Sequence, residues 1–471
     1  MPFRDILITG VIFALLPVCF LRPWIGILVW TWIGIMNPHR LTWGFAWNMP
    51  FAQMVAIAIL GGLLLVRDRK PIAWTLELRL LLVLFGYMTF TTFFAWAPED
   101  AWQQWDKVAK IFLMSYVTTM LIYGKQRIYW LFLVATLSLG FYGFKGGVFT
   151  IFTGGQYHVM GPENSFLTGN NFLGLALVMG LPLLLVLARH EERVWLRKLL
   201  YTTFALTFIA IPFTYSRGAM LGLAVVSMLL FMKWRNKALL VILLIPIAFA
   251  ALAFAPEKLF NRAESIQDYK MDASAMQRIA AWNLAWNIAV DRPLRGGGFD
   301  YEGDSVRWYT YLDPEYFDVI KGRHVAHSIY FQMLGQHGFV GFGLFMIILF
   351  LTYQRLGRLN KQTSKFSELQ WIGQYAWALQ VGLVGYAVSG AFLNLAYFDL
   401  YYLFIVLAAL LWREVLADGR ITSRHSSAVF ANNKRIHYGQ SSLRGQDKLS
   451  SLSKEGQKNE RLPEKWPGRR L

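Results

Sequence analysis

Read for apolar runs of about 17 to 25 residues, the length that lets a helix cross a hydrocarbon layer of about 30 Å, the chain predicts a series of membrane spans. They lie near 51 to 66, 79 to 97, 108 to 123, 127 to 144, 170 to 187, 199 to 214, 219 to 232, 238 to 255, 328 to 352, 371 to 394 and 398 to 417. Residues 6 to 36 are apolar as well, but Pro17 and Arg22-Pro23 break them. This stretch reads as one kinked crossing, a re-entrant hairpin or two thin spans. The pattern therefore predicts an all-α polytopic membrane protein. If residues 6 to 36 cross once, about 12 transmembrane helices follow, with both termini on the same side.

The polar connections divide into two kinds. Five are basic: 67 to 70 with Arg79, 124 to 127, 189 to 198, 233 to 237 and 354 to 365. They fall on one side when each span crosses once, and the positive-inside rule makes that side the cytoplasm. The opposite, periplasmic face receives 97 to 106, the Gly-rich stretch 145 to 171, the short turn 214 to 219 and the segment 256 to 326. This last loop is far too long for a simple connection, and loops of such length commonly bind or catalyse. Within it, AMQRIAAWNLAWNIAVDRP sets Met276, Ile279, Ala280, Trp282, Leu284 and Trp286 at helical spacing. Pro293 and the triplet Gly296-Gly297-Gly298 end the run, which predicts an amphipathic helix lying on the membrane surface.

Composition agrees with the spans. Of 471 residues, 56% are hydrophobic and 16% charged, and the mean hydropathy is +0.39, far from soluble averages. The first apolar stretch has no small-residue cleavage site and reads as an anchor. The single cysteine, Cys19, excludes an intramolecular disulfide and a cysteine-based metal site. A net charge of +18 could point to nucleic acid, but short loops and a polar tail carry much of it, so topology accounts for it. The expected organisation is a transmembrane domain over 1–417 and a basic, disordered cytoplasmic tail over 418–471.

Several residues could carry chemistry. Arg217 occupies a turn of a few residues between two spans, where a guanidinium either snorkels or holds a phosphate in its planar fork. Arg278 stands four residues before Trp282 and eight before Trp286, so the three share a helical face. That face is either a cation-π clamp or a second anion contact. Arg323, His324 and His327 stand at the mouth of the span that starts near 328. The two histidines share a face if the helix already begins there. A metal pair finds no recognisable further ligands among Asp313, Glu315 and Asp318, whereas a neutral imidazole at a wet interface is a good base for an alcohol. His337 is expected to pack or hydrogen-bond inside the bundle. No nucleophile elbow, Walker loop or dinucleotide fingerprint is present, and the glycine triplet, following no strand, reads as a turn.

Tyr215-Ser216-Arg217-Gly218-Ala219 between two spans, Gln277-Arg278 followed by Trp282, Gly296-Gly297-Gly298-Phe299, and Ala326-His327-Ser328 with Tyr330 and Gly338 together resemble the bacterial O-antigen ligase and polymerase superfamily. The stretch Met36 to Gly44 is similar to the exosortase-associated O-glycosylation ligases. The resemblance implies a metal-independent, inverting glycosyltransferase of the bacterial inner membrane, active at its periplasmic face without a cofactor. It implies a glycan donor on undecaprenyl diphosphate and an acceptor hydroxyl on a lipid A core sugar or on protein Ser/Thr. By the same resemblance Arg217 and Arg278 hold the diphosphate and His327 activates the acceptor, with Tyr215, Trp282, Arg323 and His324 in support. Many relatives carry Asn after the motif histidine and an acidic residue before the later glycine; this chain has Ser328 and His337.

Two other readings use the same features. A polymerase would take a second lipid-linked glycan as acceptor. A transporter or flippase of lipid-linked glycans would call for charges at mid-membrane and internal pseudo-symmetry, whereas the span centres here are mostly apolar.

Overall fold

The computed structural model describes residues 3–233, 273–319 and 324–418; the expected span at 238 to 255, Arg323 and the tail beyond Asp418 lie outside them. Every regular element among the described residues is helical. In order they are α1 (Phe3–Leu21), α2 (Pro23–Met36), α3 (Phe51–Leu65), α4 (Leu76–Thr92), α5 (Pro98–Leu121), α6 (Gly124–Thr153), α7 (Gly169–His190), α8 (Val194–Ala210), α9 (Arg217–Lys233), α10 (Ala273–Asp291), α11 (Ser305–Tyr311), α12 (Ile329–Thr363), α13 (Gln370–Gly390) and α14 (Asp399–Asp418). The described residues up to Glu414 form one compact unit, and Val415–Asp418 are the described part of a second.

Five of these helices are long and apolar enough to cross a membrane: α1, α6, α7, α12 and α14. The apolar helices α2 and α3 are shorter. Residues 3–36 do not form a single kinked helix. Pro23 starts a new helix after Arg22, and α1 packs along α2. The start of α1 meets the segment that follows α2, because Asp5 accepts a hydrogen bond from the Ala46 amide at 2.9 Å. The tip packs on α3, where a Cβ on Gly62 would stand 2.1 Å from the Phe20 carbonyl. The stretch is thus a hairpin of two antiparallel helices.

Two other connections are shorter than the sequence pattern implied. Helix α5 begins at Pro98 instead of near 108, since proline suits the first helical position and Glu99 and Asp100 complement the helix dipole in the first turn. Helix α6 continues to Thr153, through glycines expected in a loop. Gly140, Gly143 and Gly147 face Thr203, Thr207 and Leu206 of α8, and their lack of a side chain lets the two backbones meet closely.

Among the described residues, the basic connections at 67 to 70, 124 to 127, 189 to 198 and 354 to 365 share one end of the bundle, where their charges form ion pairs; 234 to 237 lie outside the described residues. Asp68 pairs with Arg127, Glu191 with Arg193, and Arg355 with the buried Glu77 at 2.7 Å. The other end gathers the connections 93–97, 154–168, 212–216, 292–304, 324–328 and 391–398, which contact one another through the bonds described next.

Candidate functional site

The turn between α8 and α9 is fixed from three sides. After a short 3-10 turn over Pro212–Thr214, Tyr215 adopts the left-handed region at φ 53°. Its buried hydroxyl donates to the Gly155 carbonyl at 2.6 Å, and its ring stacks on His158 at 4.7 Å. The Asn170 amide donates to the Thr214 carbonyl at 2.7 Å. These contacts set Arg217 as the first, partly buried residue of α9. Next to it, a Cβ on Gly218 would stand 3.3 Å from the Phe392 Cβ.

Helix α10 is present where the sequence placed it, but it does not simply lie on a membrane surface. One face packs Ala280, Leu284 and Ile288 against Trp96, Tyr301, Trp308 and Leu312. The other runs along the chain that leads into α12. Trp282 donates its indole N–H to the Ala326 carbonyl at 2.7 Å and stacks on Phe331 at 5.1 Å. Trp286 meets Phe339 edge-on at 5.7 Å. Protein therefore packs on two faces of the helix, while Trp286 and Val290 stay exposed, and the face of Trp282 turns toward the histidine segment.

His324 and His327 do not share a helical face, because the helix does not yet begin there. Helix α12 starts at Ile329, and His327 lies before it in the left-handed region at φ 43°. Ser328 is extended and gives the helix its first acceptor, the carbonyl that receives the Gln332 amide at 2.8 Å. The His327 imidazole is driven down to a pKa of about 4, first by burial and then by the positive fields of Arg278 and His324. His327 is consequently neutral at ambient pH.

His337 is fully buried inside the bundle, as expected. Its Nδ1 lies 2.6 Å from the Thr91 hydroxyl and its Nε2 lies 2.9 Å from that of Tyr397. Tyr397 in turn donates to Gln336 at 2.6 Å. The next residue, Gly338, interrupts α12 at φ 65°. The glycine triplet docks on this break: Gly297 and Gly298 donate to the Gly335 and Gln336 carbonyls at 2.8 and 2.9 Å, and Phe339 donates to Pro293 at 2.9 Å. The carbonyls that a kinked helix leaves unpaired are thereby satisfied. The triplet is a turn, and its work is to brace the helix.

Trp282 ties the helix that carries Arg278 to Ala326, the residue before His327, and His324 lies three residues earlier on the same segment. The turn that carries Arg217 is linked to Trp282 through Phe392, whose ring lies 6.5 Å from that of Trp282 and against Gly218. Tyr215 supports the Arg217 turn, while Arg323 lies outside the described residues. Sequence reasoning missed Phe392, Tyr397 and His158. Each stands in an apolar or Gly-rich run with no spacing to mark it; only the clustering of Tyr and Asn over 394–402 sets that stretch apart from an ordinary span.

Comparison with known families divides the chain. Residues 202–346 match a family described as O-antigen ligase, which covers α9, α10 and the histidine segment. Residues 3–192 match a family of unknown function (DUF5935). No curated protein matches the chain. The long apolar helices support a multi-pass membrane protein, and residues 202–346 are similar to the O-antigen ligase family.

Proposed function

We propose that this protein is a metal-independent, inverting glycosyltransferase that moves a glycan from undecaprenyl diphosphate to an acceptor hydroxyl at the periplasmic face of the bacterial inner membrane. The O-antigen ligase match over residues 202–346 supports the class of enzyme. The observation that carries the assignment of residues is the hydrogen bond from Trp282, one turn after Arg278, to the carbonyl of Ala326, the residue before the partly buried His327.

In this reading Arg217 and Arg278 hold the diphosphate and His327 faces the acceptor. The acceptor O–H gives its proton to the imidazole, its oxygen forms the new bond to the anomeric carbon, and the bond from that carbon to the diphosphate oxygen breaks. The electron pair leaves with the lipid diphosphate, and two guanidiniums in a partly desolvated cleft stabilise the charge that grows there. Donor binding also prepares the base. A diphosphate beside Arg278 offsets the positive field that depresses His327, so the imidazole becomes more basic when there is a glycan to transfer.

The similarity of Met36 to Gly44 to exosortase-associated O-glycosylation ligases favours ligation over polymerisation. The deciding experiment mixes the purified protein with a lipid-diphosphate glycan and three acceptors: lipid A core, a Ser/Thr-rich protein and a second lipid-linked glycan. Product on either of the first two supports a ligase, and product on the third alone assigns a polymerase. Movement of the intact donor across a vesicle bilayer with no glycosylated product overturns the transferase reading.

A further inference from the structure

The N-terminal helices enclose a second cavity, of about 590 Å³, that the O-antigen ligase region does not account for. Helices α2, α3 and α5 and the segment 37–50 form its walls, and α2 packs against both of its neighbours. Its lining is divided. Arg40, Lys107 and Lys110 bring three cations, with Asn37, Asn48 and Asn164 as neutral polar neighbours. Trp30, Ile57, Leu60, Leu113 and Met114 form the apolar part, and of these Ile57 and Leu113 are 63% and 49% exposed.

The charge in this cavity is not balanced from within. Asp106 pairs with Lys110 at 2.5 Å, and Asp399 is the one acid in the lining. Two lining side chains hold buried polar atoms with no hydrogen-bond partner, His39 Nδ1 and Asp399 Oδ1, and His39 is only 7% exposed. Buried polar atoms are rarely left unmatched in a folded chain unless something else meets them. The three cations and the unmatched His39 nitrogen beside an exposed apolar wall fit a ligand with a phosphate at one end and hydrocarbon at the other, while the Asp399 carboxylate, an acceptor, does not contact the phosphate.

We propose that this cavity binds a phosphate-bearing amphiphile, its phosphate at Arg40, Lys107 and Lys110 and its chain along Ile57, Leu60 and Leu113. The site is separate from the Arg217 and His327 cluster and does not depend on the transferase reading. The two share a wall: segment 154–168 lines the cavity with Asn164 and Phe166 and holds Tyr215 through Gly155 and His158. A bilayer phospholipid and a carrier-lipid phosphate have the chemistry in common.

Native mass spectrometry of the full chain in detergent tests the site with dioleoyl phosphatidylglycerol, dioleoyl phosphatidylcholine, undecaprenyl monophosphate and inorganic phosphate as probes. The carrier-lipid arm uses an Arg217→Ala/Arg278→Ala background, so that the other cluster adds nothing. We expect at least tenfold higher occupancy by an anionic lipid than by phosphatidylcholine, lost at least tenfold in Arg40→Ala/Lys107→Ala/Lys110→Ala and kept in Arg217→Ala/Arg278→Ala. Phosphatidylglycerol retention assigns the bilayer as source, and retention of undecaprenyl phosphate alone assigns the carrier lipid. Equal binding of phosphatidylcholine, undiminished binding by the triple variant, or equal displacement by inorganic phosphate overturns the proposal. If the triple variant does not fold, the single changes at the exposed Lys107 and Lys110 each carry the test, with a graded loss expected and an unchanged occupancy overturning it.

Discussion

The indole N–H of Trp282 donates to the backbone carbonyl of Ala326 at 2.7 Å, which ties the helix that bears Arg278 to the residue preceding His327. One hydrogen bond thus sets the spacing of a cation and an imidazole that are 49 positions apart in sequence. Trp282→Phe keeps the stacking on Phe331 but removes the donor. A net hydrogen bond is worth about 1 kcal/mol, so glycan transfer should fall roughly fivefold while the protein accumulates normally. Transfer at the wild-type rate would mean that the bond does not set the site.

Much of the architecture was legible because it follows from local rules. The apolar runs, the basic connections and the helix containing Trp282 and Trp286 are patterns of period and charge, and all described ones appear as helices or as connections at a common end. What misled was the boundary, where tertiary contacts override composition. Gly146 and Gly147 read as loop, yet they sit in α6 because Val159, Ala210 and Leu206 occupy the space a side chain would need. The site was half legible. Arg217, Arg278 and His327 stand out as ionisable side chains beside apolar or aromatic runs. Phe392, which joins them, is one of 36 phenylalanines and carries no mark of its role.

Arg217→Ala and Arg278→Ala should each reduce transfer by about 100-fold, the effect of removing one contact of about 3 kcal/mol to developing charge. The matching lysine variants separate charge from shape. A lysine restores the field but not the planar fork, so Arg→Lys should recover only part of the loss. Full activity of either alanine variant in membranes that hold normal amounts of protein would remove that arginine from the donor site. His327→Ala should abolish transfer without affecting accumulation.

Gly338→Ala should lower the amount of folded protein. Alanine at φ 65° costs about 1 to 2 kcal/mol in backbone strain, and its Cβ would stand 2.3 Å from the Pro293 carbonyl. The break in α12 would then lose its seat on the glycine turn. Gly343→Ala is the control, because nothing lies within 4 Å of its Cβ position. Thermal unfolding in detergent should drop for the first variant and hold or rise for the second. Equal melting of both would show that the break is not sterically fixed.

The pH dependence follows from the field around His327. Its pKa stands near 4 instead of 6.5, so the proton-accepting form persists as pH falls and is lost only as pH approaches about 4. The free-enzyme profile, kcat/KM, should therefore stay flat through the range where an ordinary histidine would protonate. With donor bound, the diphosphate offsets part of the Arg278 field, and the acid limb of kcat should move upward from that of kcat/KM. Arg278→Gln removes one of the charges that depress the imidazole, so the limb of its residual kcat/KM should also move upward, and donor binding should then shift it less. A wild-type kcat/KM that already falls by half near pH 6.5 would show that the group accepting the proton is not the buried imidazole beside Arg278.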